Sequence, residues 1–310
     1  MSLSLPGGYG EGKCLGSMLY SFFIKVVRFL ASTGLGLSRF PLVMPLYRFL
    51  YRALLPRERV ILIPVQEHKM YVNIGDTGRA TQDLISEGVF FKQMTTVVKN
   101  IITEGMVCLD IGANIGYFTL IMARLVGEGG RVFAFEPEPH NFDLLVKNIA
   151  LNGYDNITPV PKAISNRDGR SKLFLDRTSF GANSLVRQNV PDIGQDTVEV
   201  EVQTLDSFFK DYDGKVDFIK MHVEGAELTV LEGMEDILNK NKNLIIITRF
   251  LPSLLAGFGS PPEEYLNRLV GQGFKLYDIS EPEEGVYLTD VASILKQYPP
   301  GEGTNLLAKR

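Results

Sequence analysis

The apolar positions of this chain switch repeatedly between the short continuous runs of buried strands and the three-to-four-residue period of helices. RVILIPVQEHKMYVNIG (59–75) alternates around Glu67-His68 and predicts a β-hairpin. FKQMTTVVKNIIT (91–103) has helical spacing, and MVCLDIG (106–112) is a strand apolar on both faces. A helix is expected from about Tyr117 to Leu125, then a second strand, RVFAFE (131–136). PHNFDLLVKNIALNG (139–153) predicts a helix closed by its terminal glycine. ITPVPKAIS (157–165) is a third strand, weakened by its prolines, while KLFLD and TVEVEVQTL are short extended pieces. VDFIKMH (216–222) is a fourth core strand, leading into a helix from Ala226 to about Leu238. NLIIITRF is a fifth strand, PPEEYLNRLVGQG a helix and FKLYDIS a further strand.

Strands alternating with helices define an α/β fold with a mostly parallel sheet and helices on both faces. Ligands of such sheets bind beyond the carboxyl ends of the strands. Three polar residues stand at those ends: Asp110, Glu136 and His222.

Composition bounds the remaining possibilities. With 310 residues, 45% hydrophobic and 22% charged, the chain has the material for one large domain and an appendage. The net charge of −4 gives no global reason to expect nucleic acid. Residues 1–60 nevertheless carry eight Lys/Arg against Glu11 and Glu58, about +6, which leaves about −10 for the rest. The division expected is an apolar, basic, helical extension over 1–59 and a domain over 60–310 whose core motifs span 105–280. SMLYSFFIKVVRFLASTGLGL is interrupted by Lys25 and Arg28, too early for a membrane span. The preferred reading is helices packed on the domain or on a partner subunit. The alternative is peripheral contact with an anionic membrane through residues 15–55. Two cysteines make no disulfide framework, so a reducing, cytoplasmic setting is expected.

The turn in LDIGANIGYFTL lacks the G-x-G-x-x-G spacing of dinucleotide-binding folds, which disfavours a nicotinamide-dependent oxidoreductase. An acid two residues before the first glycine would repel a pyrophosphate. It suits a ligand bearing an amino group and a carboxylate, the latter at the following helix N-terminus. Glu136, ending the second strand, can accept both hydroxyls of a ribose. An amino acid joined to a nucleoside describes S-adenosylmethionine. No His/Cys spacing matches a zinc site, and no G-x-S-x-G elbow supports a hydrolase.

GMVCLDIGANIGYFTLIMARLVGEGGRVFAFEPEPHNFDLLVKNIALNG, then KAIS, then IKMHVEGAELTVLEGM, resembles the FkbM family of S-adenosylmethionine-dependent methyltransferases over about residues 75–280. The resemblance implies a Rossmann-like, seven-stranded methyltransferase fold, here with an N-terminal helical and β-hairpin extension. It implies that Asp110, Gly112, Ala113, Asn114 and Gly116 form the methionine-side loop, that Glu136 with Pro137 holds the ribose, and that Ala163, beside Lys162, lies near the adenine.

The chain departs from the family pattern at the substrate-facing ends. Where the family reads I-K-x-D-V-E-G-A-E, an aspartate is replaced by His222, while Lys220, Glu224 and Glu227 are retained. The fifth strand ends in Arg249 where the family has glutamate, and Phe90-Phe91 stands where an aromatic–glutamate pair is typical. His222 is a candidate general base for an alcohol acceptor, since its reference pKa of about 6.5 suits neutral pH. The alternatives are substrate positioning and a structural histidine paired with Glu224 or Glu227. Arg249 fits either an anionic substrate or a salt bridge to Glu224. Lys220, on the same strand face as His222, requires a carboxylate or water partner, Glu224 being one candidate. The catalytic set is thus His222, Lys220, Glu224 and Arg249, with no metal. The function expected is O-methylation of a small-molecule, saccharide or lipid-linked hydroxyl. The alternative is an S-adenosylmethionine-binding protein that has lost catalysis and acts as a binding or assembly partner.

Overall fold

The computed structural model describes residues 60–176, 179–190, 196–279 and 285–310. The expected basic extension over 1–59, including the 15–55 membrane contact, lies outside the described residues.

Val60–Val65 (β1) and His68–Asn73 (β2) form the predicted antiparallel hairpin, turning at Gln66-Glu67 with Gln66 at φ 51. A two-stranded sheet is marginal alone, and this one is bound to the helix Pro139–Asn152. Asn148 accepts from Tyr71 N (2.6 Å) and donates to Tyr71 O (3.1 Å). Asn152, one turn on, repeats this at Lys69 (3.0 and 2.8 Å). The two amides thus satisfy an open strand edge. They also anchor the segment that follows: helix α1 (Arg79–Ser86), the Phe90-Phe91 turn and helix α2 (Lys92–Ile101).

The main sheet has β3 (Val107–Ile111) at its centre. On one side lie β4 (Arg131–Phe135) and β5 (Ile157–Val160). On the other lie β9 (Phe218–Met221) and β10 (Ile245–Phe250), and all five are parallel. An antiparallel strand, β13 (Thr304–Lys309), is wedged between β10 and β11 (Lys275–Ile279). These are the seven strands expected; a three-residue edge strand, β12 (Tyr287–Thr289), makes an eighth. Successive residues of β3 face opposite sides. Cys108 joins the apolar cluster containing α1, α2 and the helix α3 (Tyr117–Val126), while Leu109 and Ile111 join the cluster on the other face. Strand order reverses between β3 and β9, the point at which doubly wound sheets bind ligands.

Two expectations change. ITPVPKAIS is not one strand: Pro161 separates β5 from β6 (Lys162–Ile164), which leaves the main sheet to pair with β8 (Asp196–Gln203). Together with β7 (Gly169–Leu175) it makes a separate three-stranded sheet. The helix expected over 226–238 breaks into Glu227–Glu232 and Glu235–Lys240. Gly233 lies against the chain at Ser165, where a Cβ would come within 2.0 Å of the carbonyl oxygen. Asp206 then accepts from Asp236 N and Ile237 N at the start of the second piece.

Candidate active site

A cavity opens at the carboxyl ends of β3, β4, β9 and β10. One wall is the loop from β3 to α3. Gly112 has φ 75, and a Cβ there would sit 2.0 Å from the His222 carbonyl oxygen, so the glycine lets this loop press against the end of β9. The loop is tied to β4 because Gly112 N and Ala113 N both donate to Phe135 O at 3.0 Å. Gly116, at φ 97, serves packing: a Cβ would meet Leu145 Cδ1 at 2.8 Å, and the residue does not line the cavity.

Glu136 is clamped by backbone donors. Its Oε2 accepts from Asn114 N (2.8 Å) and its Oε1 from Glu138 N (2.9 Å). Each carboxylate oxygen retains acceptor capacity, enough for two hydroxyl donors. Burial raises the Glu136 pKa to about 7, against the lowering effect of those two N–H groups. Gly112, Ala113, Asn114, Glu136, Pro137 and Ala163 all line the cavity. This donor set fits a nucleoside-bearing amino acid: a paired acceptor for ribose hydroxyls beside a backbone loop at a helix start.

Asp110 stands behind this wall. It is fully buried, with Oδ2 accepting from Thr119 Oγ1 (2.6 Å) and Oδ1 lying 2.9 Å from Lys220 Nζ. The Lys220 contact is an ion pair without hydrogen-bond alignment, which leaves Oδ1 without a hydrogen-bond donor. Lys220 Nζ also donates to Gly112 O at 2.6 Å. The carboxylate partner that Lys220 requires is therefore Asp110 rather than the candidate Glu224. The cause is register, since Asp110 and Lys220 are direct neighbours on β3 and β9.

His222 follows β9, with its N donating to Ile111 O (3.0 Å). Its Nε2 lies 3.1 Å from Glu224 Oε1. Burial lowers the His222 pKa and outweighs the raising influence of Glu224, while Lys220 and Arg249 push it further down. Glu224 has φ 50, a conformation rare outside glycine. Its carbonyl holds that turn in place by accepting from Ser184 Oγ (3.1 Å) and Asn189 Nδ2 (3.0 Å). Glu227 is buried beneath, accepts from Val223 N, and has its pKa raised to about 7 by burial. Arg249 lies over the ring of Phe91, 5.6 Å from its centroid, and that ring is 5.8 Å from the imidazole.

The hydrophobic pattern did not reveal the covering of the cavity. Asp76, Arg79 and Phe180 line it, from the start of α1 and from the loop that follows β7. Asp76 joins them, accepting from Gly78 N (2.8 Å), Thr81 Oγ1 (2.6 Å) and Phe180 N (3.1 Å). Asn141 holds Phe180 from the other side, donating to its carbonyl at 2.9 Å. The turn-forming G-D-T-G at 75–78 was the available signal. Among the described residues, no group of three or more His, Cys, Asp or Glu is placed to hold a metal ion. No described helix is long and apolar enough to cross a membrane.

The chain belongs to the FkbM methyltransferase family: the profile of the methyltransferase FkbM domain matches residues 110–276, more than half its length. Relatives include methyltransferase sdnD of Sordaria araneosa, 31% identical over 156 residues, covering 41% of this chain and 60% of that protein. Hexuronic acid methyltransferase AglP of Haloferax volcanii is 27% identical over 145 residues, covering 46% of this chain and 56% of that protein. The chain thus spans little more than half the length of these two relatives. Among solved structures, Methanocaldococcus jannaschii TYW2 in complex with AdoMet is similar with a TM-score of 0.43 at 14% identity, covering 82% of this chain and 86% of that one.

Proposed function

We propose that this chain binds S-adenosylmethionine and transfers its methyl group to a hydroxyl oxygen, with His222 as general base. Family membership supports the methyl-transfer class, and the clamped Glu136 beside the Gly112–Asn114 loop supports the cofactor. The observation that carries the acceptor chemistry is the imidazole of His222 held on Glu224 at the end of β9, where burial favours its neutral form.

When bound, S-adenosylmethionine supplies a methyl group on a positively charged sulfur, which departs as a neutral thioether. The protein holds the acceptor in line and removes its proton. Glu224 takes the Nε2–H of His222, which leaves Nδ1 as the basic lone pair. Nδ1 accepts the hydroxyl proton as the new C–O bond forms, and Glu224 stabilises the resulting imidazolium. Lys220, paired with Asp110 and donating to Gly112 O, positions the loop. A saccharide or other small hydroxylated molecule is the acceptor class this reading favours, in keeping with the hexuronic acid specificity in the name of AglP.

The test is transfer of labelled methyl to acceptors in a native extract. His222→Ala lowers it by about 10²–10⁴, the usual contribution of a general base. Transfer undiminished in the variant removes His222 from the mechanism, and failure of the intact chain to bind S-adenosylmethionine by calorimetry removes the cofactor.

A further inference from the structure

Glu224 reaches the histidine from a backbone shape that a glutamate rarely adopts. Its φ of 50 lies in the left-handed region, and Gly225 follows at φ 101. Such strain persists only where the surroundings over-determine it, and it gathers at functional sites. Here the surroundings are two side chains of the segment that follows β7. Ser184 Oγ (3.1 Å) and Asn189 Nδ2 (3.0 Å) both donate to the Glu224 carbonyl oxygen, from 40 and 35 positions away in the sequence. A backbone carbonyl has two lone pairs, and each is engaged.

Both donors are themselves aimed. Ser184 is buried and bridged to β7, its N donating to Phe174 O (3.1 Å) and its O accepting from Phe174 N (2.8 Å). Asn189 uses its second amide hydrogen on Leu254 O (3.0 Å), in the helix Pro252–Gly257 that follows β10. A Cβ on Gly225 would come within 2.4 Å of Leu254 O and 2.7 Å of Asn189 Nδ2, and one on Gly257 within 2.0 Å of Asn189 Oδ1. The two glycines thus admit the amide between the turn after β9 and the helix after β10. Residues 179–183 and Leu185 of the same segment line the cavity, so one piece of chain both walls the cavity and supports Glu224.

The consequence reaches His222. Glu224 Oε1 lies 3.1 Å from the imidazole Nε2. With its carbonyl released, Glu224 relaxes to a negative φ, which rotates its Cα–Cβ bond and withdraws the carboxylate. Nε2–H then loses its acceptor. Which ring nitrogen carries the proton is set by the hydrogen bond the ring makes, so the tautomer is no longer fixed.

We infer that Asn189 and Ser184 are positioning residues, clamping the Glu224 backbone so that its carboxylate fixes the Nε2–H tautomer of His222. This rests on the methyl-transfer reading, in which Nδ1 of that tautomer is the base.

The experiment is nuclear magnetic resonance of the full chain with isotopically labelled histidine nitrogens. The chain has three histidines, His68, His140 and His222, and His222→Gln assigns the third by its loss. In the parent, His222 reports the Nε2–H tautomer. In Asn189→Ala and Ser184→Ala, which remove donors without adding charge, its resonances move toward the average of the two tautomers. Transfer of labelled methyl to acceptors in a native extract falls about ten-fold or more in Asn189→Ala, a part of what a general base supplies. The apparent KM for S-adenosylmethionine stays within about two-fold, as expected when binding is untouched. Burial lowers the His222 pKa, Glu224 raises it, and Lys220 and Arg249 lower it further, so loss of the Glu224 contact moves the acid limb of turnover to lower pH. Should Asn189→Ala fail to fold by circular dichroism, Ser184→Ala decides by the same readouts, since it leaves the Asn189 donor in place. A His222 tautomer unchanged in the folded variants overturns the proposal, as does unchanged turnover. A parent chain that transfers no methyl defeats the methyl-transfer reading instead, because the tautomer is read without cofactor or acceptor.

Discussion

Replacing Lys220 by methionine tests the ion pair behind the loop from β3 to α3. The side chains of Lys220 and Asp110 are 5% and 0% exposed, with Nζ 2.9 Å from Oδ1. Methionine preserves length and apolar stem but deletes the charge, leaving Asp110 buried with the Thr119 hydroxyl as its hydrogen-bond donor. Breaking a buried pair from one side costs about 3–5 kcal/mol, because the surviving charge is desolvated without compensation. That is a large fraction of the roughly 5–15 kcal/mol that stabilises a typical domain. At about 2–4 °C per kcal/mol for a domain of this size, the midpoint falls by about 6–20 °C. Urea unfolding followed by circular dichroism provides the free energy. The control is Lys220→Met with Asp110→Asn. Removing both charges recovers about 1–3 kcal/mol of the loss, which a double-mutant cycle isolates. The double variant still lacks the donor to Gly112 O, so S-adenosylmethionine affinity stays reduced even where stability returns. A single variant less than about 1 kcal/mol below the parent, or a double variant no more stable than the single, refutes the reasoning.

Three further outcomes follow from the site. Glu136 has a folded-state pKa near 7, raised from 4.5, so it contributes stability below pH 4.5 that is lost as pH rises through 7, at most about 3 kcal/mol. Ribose hydroxyls donate to the ionised form, so S-adenosylhomocysteine binding at pH 6 releases a proton and affinity declines below pH 7; calorimetry in two buffers of different ionisation enthalpy reads this, and Glu136→Gln abolishes it. His222 has a lowered pKa, so the acid limb of the turnover profile lies below pH 6.5 and is absent in the residual activity of His222→Gln. Gly112→Ala must place a Cβ 2.0 Å from the His222 carbonyl oxygen at φ +75, so unfolding measurements show a loss of about 2 kcal/mol or more, and a silent substitution refutes the close crossing of the loop over β9.

Much of the architecture is legible without coordinates because it depends on neighbours in sequence. Apolar periods identify the core strands, Gly153 at φ 69 closes its helix, and D-I-G-A-N-I-G marks the turn from β3 into α3. Family-specific residues then direct attention to His222 and Arg249. Register, crossings and long-range pairing are invisible in that reading, because residues far apart in sequence carry no mutual signal. Asp110 reads as a ligand contact at a strand end; the alignment of β3 with β9 makes it the buried counterion of Lys220, 110 residues away. Pro161 reads as a weakness within one strand, but it diverts the chain into another sheet that brings Ala163 to the cavity wall. The apolar spacing of Phe90-Phe91 did not reveal that Arg79 and Arg249 would converge on one ring. The sequence by itself determined the fold class and the family, which rest on local periodicity and short motifs. The tertiary structure alone decided which charges meet across the cavity, because burial and packing set those distances only after the sheet has assembled.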